Sequence, residues 1–353
     1  MDEPRMFERM GQSLASRGFD VYLIGTPSSS DQSFDGIKFI PHPKPERLSA
    51  KRVLVRFRIL KEIFSLRPDI LIISTHELLG VAILYKVLTG QKIIYDIQEN
   101  YFKNIVHTNA FPKAVRLIVA SLVRLKETVA SVFVSKFILA EQCYADEIKF
   151  IGKKYSVIEN KCKVPDHFQR LPESGSIRLL FTGTLAESTG VFQAIDFAKH
   201  LNKIDSRITL TIVGYCALPN TLERIRSEIT DSPFIQLIGG ENFVSHAHIM
   251  KSISVAHFGL ICYPPSPHIQ NKIPTKLYEY LACQLPIIIQ KHEHWEEMCS
   301  PYDAAISIDF NQFDTNGVMK EMNEKKFYSS TPSGVTWQSE EDKFIKVIES
   351  VIE

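Results

Sequence analysis

The chain has 353 residues, 44% of them hydrophobic, which is more apolar material than one ordinary core needs and predicts two domains. Its six cysteines are scattered without a CxxC pair, which argues against a disulfide framework or a zinc ribbon and fits a reducing cytoplasm. The formal charge is +1, the acidic opening is unlike a signal peptide, and no apolar run approaches the roughly 20 residues that cross a bilayer.

The chain opens on a predicted helix, residues 4–17, which Gly18 closes before the first strand. A doubly wound domain normally has a strand in front of such a helix. Either the edge of the first sheet is short, or an upstream strand and its turn precede the sequence given. We favour the second explanation.

Short apolar runs then alternate with amphipathic stretches, which predicts parallel strands joined by crossover helices. The first series of strands is predicted at residues 20–25, 69–75, 92–97, 131–135 and 156–159. The second series is predicted at residues 177–182, 208–213, 234–238, 256–262, 285–289 and 304–308. We therefore expect two doubly wound α/β domains that face a cleft, with ligands beyond the carboxyl ends of the strands.

A linker is predicted at residues 161–176, which hold two prolines and a Glu-Ser-Gly-Ser stretch. The expected domains are residues 1–163 and 164–330, and a C-terminal helix in residues 331–353 is expected to pack back across the junction. The first part holds 25 basic and 17 acidic side chains, and the remainder holds 16 and 23. A basic first domain could face an anionic membrane or a phosphate-bearing ligand, although such a bias is also typical of an ordinary solvated surface.

The most informative segment spans residues 271–286. Pro274 and Thr275 predict the start of a helix, since proline fixes a helical φ and threonine can cap. Glu279 lies about 200° from Leu277 at roughly 100° per residue, which predicts that Glu279 faces away from the core. The apolar face of this helix is expected to consist of Leu277, Tyr280 and Leu281.

The start of this helix has the chemistry of a diphosphate site. Its first backbone amides, with Lys276 in the first turn, suit a diphosphate, and the carboxylate of Glu279 one turn on can accept both hydroxyls of a ribose. A surface helix with an ordinary lysine and glutamate is the alternative. We find no Walker loop, Gly-x-Gly-x-x-Gly, Gly-x-Ser-x-Gly or His-Glu-x-x-His motif, so the commonest kinase, dehydrogenase and hydrolase classes lack support.

The order of these signals resembles the donor domain of family 4 (group 1) glycosyltransferases, which have the GT-B fold. The resemblance is carried by residues 181–185 through Gly190, then 210–214, 238–240 and 276–282, and finally 285–288. In the first half it is carried by residues 2–21, 69–76 and 94–100, so it covers nearly the whole chain.

The resemblance implies that Glu279 holds the ribose, that the turn at Gly183 approaches the diphosphate and that the loop after Gly239 reads the base. The expected donor-binding residues are Gly183, Thr184, Gly239, Asn242, Phe243, Thr275, Lys276, Leu277 and Glu279. A plain strand-to-helix turn at Gly183 and a plain loop break at Gly239 are the structural alternatives.

The sequence also departs from the family. Residues 186–189 stand where an arginine and a lysine commonly clamp the diphosphate, Asn271 replaces a glutamate, and Gln284 replaces a glycine. A leaving diphosphate needs positive charge, so Lys276, Lys272 and helix amides would have to supply it.

Polar residues follow two predicted strands of the first domain. His76 and Glu77 follow one strand, while Gln98, Glu99 and Asn100 follow the next, with Gln98 where the family often has a histidine. We expect His76, Glu99 and Lys276 to be catalytic, and His76, Glu77, Gln98 and Asn100 to bind the acceptor. Each of the polar residues of the first domain could instead be structural, as a hydrogen-bonded histidine or a helix cap.

The resemblance implies a cytoplasmic retaining hexosyltransferase that needs no cofactor or metal and uses a UDP or GDP sugar as co-substrate. The acceptor is expected to be a saccharide or a lipid-linked saccharide in surface polysaccharide synthesis, and no nucleic-acid partner is expected. An inactive relative that binds a nucleotide or partner protein and a nucleotide-sugar epimerase are the alternatives. The pairs His246/His248 and His292/His294 are two apart, so they point to different helix faces and do not predict a metal site.

Two basic, partly amphipathic stretches occupy residues 51–61 and 114–129. We interpret them as helices that pack on the first sheet with their basic faces in water. A peripheral position at the inner face of the membrane is the alternative.

Overall fold

The computed structural model describes residues 3–26, 34–43, 51–107, 111–172, 175–267 and 269–352. Asp2 at the start of the resemblance, residues 173–174 of the predicted linker and Glu353 of the predicted C-terminal helix lie outside the described residues. The chain forms two compact units. Unit 1 comprises Met1–Asn160 and Trp337–Glu353, and unit 2 comprises Lys161–Thr336.

Strands and helices alternate in both units. The strands are β1 Val21–Gly25, β2 Ile37–Pro41, β3 Ile70–Ile73, β4 Lys92–Ile97, β5 Lys136–Leu139, β6 Tyr155–Val157, β7 Ile177–Thr184, β8 Ile208–Tyr215, β9 Ile235–Gly240, β10 Phe258–Ile261, β11 Ile287–Gln290 and β12 Ala305–Ile308. The helices are α1 Gln12–Ser16, α2 Lys51–Leu66, α3 Leu79–Thr89, α4 Tyr101–His107, α5 Arg116–Ala130, α6 Tyr144–Glu147, α7 Val191–Ile204, α8 Pro219–Ile229, α9 His246–Val255, α10 Thr275–Ala282, α11 Glu293–Cys299, α12 Thr315–Glu324 and α13 Gln338–Ile352.

Unit 1 is built on parallel strands. β1 pairs with β2, and a four-stranded sheet has the order β3-β4-β5-β6. The β4 strand is buried over almost its whole length, as expected of a central parallel strand. The C-terminal helix α13 packs into this unit, where Nε1 of Trp337 donates a hydrogen bond to Oγ of Ser13 at 2.8 Å.

Unit 2 has one six-stranded parallel sheet in the order β12-β11-β10-β7-β8-β9. Apolar residues of its strands are buried on both faces, because helices cover both sides of the sheet. In register, Gly183 of β7 lies opposite Gly214 of β8, and Gly214 lies opposite Gly239 of β9. The carboxyl ends of these three strands therefore meet at one edge.

One predicted strand was wrong, and one strand was missed. The strand expected at residues 131–135 is instead the turn after α5, with Val132 72% exposed, and β5 follows it, with its last three residues buried. The β2 strand was missed, since only its first residue, Ile37, is buried. The helix predicted at residues 4–17 is present. It begins as a π-helix, Arg5–Gly11, and continues as α1, and a Cβ at Gly11 would lie 2.8 Å from the carbonyl oxygen of Met6. The strand expected upstream of it stays a prediction.

The interpretation of residues 114–129 was also wrong. In α5 the apolar side chains Leu122 and Leu125 are about 60% exposed, whereas the side chain of Arg124 is only 23% exposed. For α2 the interpretation was half right, because Ile59 is buried and Arg58 is exposed, but Phe57 is 65% exposed. Within the described residues, no helix is both long enough and apolar enough to cross a membrane.

Candidate functional site

Lys276 is the most unusual polar residue of unit 2. It lies in the first turn of α10, only 5% exposed, and its Nζ atom has no hydrogen-bond partner among the described residues. The ammonium group instead lies over the rings of Phe181, at 4.2 Å, and Tyr263, at 4.9 Å. Burial lowers the pKa of Lys276 to about 8, although Cys262 and Glu279 favour its charged form. A buried cation without a counter-ion is costly, and an anionic ligand would relieve that cost.

Three glycines form a row beside this lysine. A Cβ at Gly214 would lie 1.7 Å from the carbonyl oxygen of Gly183, and a Cβ at Gly239 would lie 2.3 Å from that of Gly214. Gly183 has a φ of +103°, which disfavours any side chain, and a Cβ there would lie 4.0 Å from Nζ of Lys276. Backbone without a side chain therefore lies beside the ammonium group, and a Cβ there would contact the lysine side chain.

Glu279 is more buried than the helical pattern predicted. It is 9% exposed, and its Oε1 atom lies 3.2 Å from Nε2 of His246 at the start of α9. The expectation that it faces away from the core missed this partner, which lies 33 positions away along the chain. The other carboxylate oxygen, Oε2, has no hydrogen bond within the described residues and keeps its capacity to accept.

The other residues at the start of α10 have different environments. Thr275 is exposed, and Pro274 occupies the N-cap position without a side-chain cap. Leu277 is fully buried in the core of unit 2, and its amide donates to the carbonyl oxygen of Pro274 at 2.8 Å. Its side chain and amide are therefore both engaged inside unit 2, and its predicted place in the donor site has no support in this arrangement.

The loop after β9 carries an aromatic pair. The ring of Phe243 stacks on that of Tyr215 with centroids 4.1 Å apart and planes 20° apart, and Phe243 is 63% exposed. Asn242 beside it is exposed as well. An exposed stacked pair of this kind can hold a flat base against its outer face.

The segment where the family has its clamp is a short 3-10 helix, Glu187–Thr189. The Oγ1 atom of Thr189 lies 2.7 Å from the carbonyl oxygen of Thr184, which fixes the turn. Glu187 pairs with the guanidinium of Arg224 on α8 at 2.6 Å, and both side chains are more than half exposed. This turn therefore carries a carboxylate, and residues 186–189 hold no cationic side chain.

In unit 1, His76 and Glu77 lie in a short 3-10 helix after β3. The ring of His76 meets that of Tyr101 edge-on at 4.6 Å, and its carbonyl oxygen accepts from Nζ of Lys126 at 2.5 Å. Burial raises the pKa of Tyr101, and the carboxylates of Glu99 and Glu77 raise it further. These groups therefore lie around one tyrosine, at the carboxyl edge of the β3-β4 pair.

The residues after β4 are engaged inside unit 1 to different degrees. Asn100 is 2% exposed, donates to Glu147 at 2.8 Å and accepts from Arg124 at 2.6 Å, so its side chain is occupied. Gln98 donates to Asp96, and the exposed Glu99 accepts from Asn104 at 2.7 Å. The predicted acceptor role of Asn100 has no support in this arrangement.

The two histidine pairs have ordinary partners. His246 contacts Glu279, and His292 stacks on Trp295 with centroids 4.0 Å apart. No group of three or more His, Cys, Asp or Glu side chains suited to a metal ion occurs in the described part of the chain.

Sequence reasoning missed the neighbours that give the predicted residues their environment. They are the following: Phe181 and Tyr263 around Lys276, His246 beside Glu279, Tyr215 under Phe243, and Tyr101 beside His76. Tyr215 ends β8, and Tyr263 follows the end of β10 by two positions. An aromatic residue at the carboxyl end of a parallel strand was the available signal.

No protein-family model and no curated protein sequence matches the chain. Among solved structures, HepE of Anabaena in complex with UDP-glucose is similar with a TM-score of 0.63 at 13% identity, over 89% of this chain and 86% of HepE. Sucrose-phosphate synthase from Thermosynechococcus elongatus is similar with a TM-score of 0.65 at 12% identity, over 97% and 89%. A protein assigned as a UDP-N-acetylglucosamine 2-epimerase from Listeria monocytogenes is similar with a TM-score of 0.53 at 12% identity, over 90% and 83%.

At these identities the similarity concerns the fold. The two α/β units with parallel sheets and the glycosyltransferase neighbours give the chain the GT-B fold, and this prediction from the sequence is confirmed.

Proposed function

We propose that this chain is a glycosyltransferase of family 4 type, which binds a nucleoside diphosphate sugar in unit 2 and transfers the sugar with retention to an acceptor bound by unit 1. One observation carries the proposal: the ammonium group of Lys276 is buried, has no hydrogen-bond partner among the described residues and faces the bare backbone of Gly183. A diphosphate is an anion of suitable charge for this position, and it can approach closely because Gly183 has no side chain.

Lys276 would stabilise the departing diphosphate as the bond to the sugar breaks. Negative charge develops on the leaving group at that moment, and a fixed cation in a low-dielectric site is most effective there. The rings of Phe181 and Tyr263 hold the ammonium group in place and keep water from it. In this proposal a metal ion is not needed for charge neutralisation.

The remaining donor contacts follow along the carboxyl edge of the sheet. Oε2 of Glu279 would accept from the ribose hydroxyls while His246 holds Oε1 in place. The base would stack on the exposed face of Phe243. HepE, which shares this fold, was crystallised with UDP-glucose, and this supports a UDP sugar as the first donor to test.

The acceptor side of the proposal is a saccharide or lipid-linked saccharide of surface polysaccharide synthesis, handled in the cytoplasm with peripheral contact to the membrane. His76, Glu77, Gln98 and Glu99 remain the candidates for holding it, since they lie at the carboxyl edge of unit 1. Either His76 or Glu99 would then receive the proton of the acceptor hydroxyl.

The donor site is tested by replacing Lys276 with an uncharged side chain of similar length. We expect Lys276→Met to lower the affinity for UDP by about tenfold to a hundredfold in calorimetry, because a charge-assisted hydrogen bond is lost. Its melting temperature should be equal or higher, since a buried unpaired cation is removed. Glu279→Ala should weaken UDP binding as well.

The matched control is Lys199→Met, which removes an ordinary ion pair with Glu228 at 3.2 Å in the same unit. Its UDP affinity should equal that of the unchanged protein. Equal UDP affinity in Lys276→Met and Lys199→Met, or no detectable binding of UDP and GDP to the unchanged protein, would contradict the proposed donor site.

A nucleotide-sugar epimerase is a second candidate. The similar fold of the Listeria protein assigned as a UDP-N-acetylglucosamine 2-epimerase and the contact between His246 and Glu279 favour it. An epimerase converts its substrate without an acceptor. A new sugar resonance in the NMR spectrum of a UDP sugar incubated with the protein alone would therefore select the epimerase over the transferase.

A further inference from the structure

The helices α2, α3 and α5 of unit 1 share an unusual amount of exposed apolar surface. Twelve of the seventeen large hydrophobic side chains that are exposed among the described residues lie between Leu54 and Val132. Soluble proteins rarely expose a contiguous apolar patch larger than roughly a few hundred Å² unless that patch is a binding surface. The exposed apolar side chains of these helices therefore indicate a surface that binds a partner.

The apolar side chains of α5 form a continuous stripe. Ile118, Leu122, Leu125 and Val129 recur at intervals of four, three and four residues, and each is 60% exposed or more. An apolar groove of about 330 Å³ runs between this stripe and α3, with Ile83 and Gly80 on its other wall. The α5 helix thus exposes its apolar face, which the helix of a soluble protein normally buries.

The neighbouring helices extend the same surface. α3 packs beside both α2 and α5, and it exposes Leu84, Val87 and Leu88. α2 exposes Leu54 and Phe57 one turn from each other. Three helices therefore contribute to one apolar surface, which is broader than the seam of a single helix partner.

The charges around this surface are basic. Arg58 and Lys61 are exposed on α2, and Lys113 is exposed just before α5. The acidic side chains on the described parts of the three helices are Glu62 and Glu127, and neither is exposed. Glu127 is 3% exposed and accepts a hydrogen bond from Tyr95 at 2.8 Å.

We propose that α2, α3 and α5 form a docking surface for an anionic lipid bilayer, with Leu122 and Leu125 inserting between the acyl chains. Apolar side chains flanked by cations are the pattern that lies in a membrane interface, where the apolar part enters the bilayer and the cations meet the headgroups. A second copy of the same surface fits less well, because a two-fold interface would bring these cations against one another. Only one part of this inference rests on the proposed function, namely that membrane binding brings the enzyme to a lipid-linked acceptor.

The experiment is vesicle sedimentation with Leu122→Glu/Leu125→Glu and, as a matched control, Leu171→Glu/Ile204→Glu. The control removes two apolar side chains of similar exposure from unit 2, Leu171 at 66% and Ile204 at 52%, and adds the same charge. We expect the unchanged protein and the control to sediment with vesicles of equal parts phosphatidylglycerol and phosphatidylcholine, and far less with phosphatidylcholine alone. The Leu122/Leu125 variant should lose at least about tenfold in binding.

Several outcomes would overturn the proposal: no sedimentation of the unchanged protein, equal binding to neutral vesicles, or equal loss in both double variants. A dimer that forms without lipid and dissociates in the Leu122/Leu125 variant, measured by sedimentation velocity, would assign the surface to a second copy instead. UDP affinity measured on the same samples separates this result from the donor site. Failure of membrane binding with UDP binding intact overturns only the docking surface.

Discussion

Two cations of this protein, the buried Lys276 of unit 2 and the partly buried Arg124 of unit 1, have opposite environments. Arg124 donates to Asn100 at 2.6 Å, lies 3.9 Å from Glu127 and sits over the ring of Phe150. Lys276 has aromatic neighbours and no hydrogen-bond partner among the described residues. Both units carry polar residues where their parallel strands end, but Arg124 has its partners inside unit 1, whereas Lys276 has no hydrogen-bond partner among the described residues.

A cation that lacks a hydrogen-bond partner is a better candidate for ligand contact than one whose partners lie within its own unit. A satisfied network such as that of Arg124 stabilises its own unit, and a ligand could enter only by breaking hydrogen bonds that are already made. An unsatisfied group such as Lys276 destabilises the free protein and gains from binding. The two cations should therefore respond oppositely to mutation.

The largest effect on stability is expected at Gly214, at the carboxyl edge of the sheet of unit 2, where a side chain has no room. Gly214→Ala places a methyl group 1.7 Å from the carbonyl oxygen of Gly183, so β7 and β8 must separate. We expect the free energy of unfolding of unit 2 to fall by more than about 3 kcal/mol, with loss of UDP binding. Trp295 reports this unfolding by fluorescence when Trp337 of unit 1 is replaced by Phe.

Gly80→Ala is the matched control in unit 1. Gly80 lies in α3, and no atom lies within 4 Å of its added Cβ among the described residues. The substitution should leave unit 2 unchanged and raise the stability of unit 1 by up to about 1 kcal/mol, because alanine favours a helix over glycine. A normal unfolding transition for Gly214→Ala would mean that the glycine row is not tightly packed.

The residues around Lys276 also show how much of this site the sequence predicts. The α10 helix, its lysine and its glutamate were predicted, since a proline, a capping residue and an apolar repeat lie within one short segment. The surroundings of Lys276 were not predicted, because Phe181 lies in β7 and Tyr263 follows β10, far apart in the chain. Contacts of that kind depend on strand order, which no local pattern contains.

The α5 helix shows a different limit. Its apolar residues were expected to face the sheet, because burying them is the usual outcome for a soluble protein. In the structure the small or polar residues Ala120 and Glu127 face inward, and Leu122 and Leu125 face outward. A helix with apolar residues on more than one side gives no sequence signal for which side is buried, so the exposed face became visible only in the fold.

An intermediate effect is expected from the satisfied network of unit 1. Asn100→Ala removes the hydrogen bonds to Glu147 and Arg124, both largely buried, and should lower the free energy of unfolding of unit 1 by about 2–4 kcal/mol. UDP affinity and the unfolding of unit 2 should not change. Chemical denaturation followed through Trp337, with Trp295 replaced by Phe, measures this cost.

Asn104→Ala serves as the comparison, since its side chain meets the exposed Glu99 and its loss should cost less than about 0.5 kcal/mol. If Asn100→Ala instead leaves stability unchanged and raises the KM for the acceptor, Asn100 is an acceptor ligand and the contrast between the two cations fails.

The smallest effect concerns the titration of Lys276. Its pKa in the folded protein is about 8 because the group is buried, and a diphosphate binds its charged form. UDP affinity should therefore be nearly constant from about pH 7, where the phosphate is ionised, to about pH 8. Above that it should fall by up to about tenfold per pH unit, and calorimetry across this range measures it.

The stability of the free protein should change in the opposite direction. Between pH about 8 and about 10.4 the unfolded chain binds more protons at this position than the folded chain, so the contribution of Lys276 to stability rises with pH. Lys276→Met should remove both trends, whereas Lys199→Met should keep both. A UDP affinity that is independent of pH in the unchanged protein would show that the ammonium group does not meet the diphosphate. If UDP affinity and protein stability both fell above pH 8, the loss of affinity would result from unfolding. Lys276 would then stabilise its own unit, as Arg124 does.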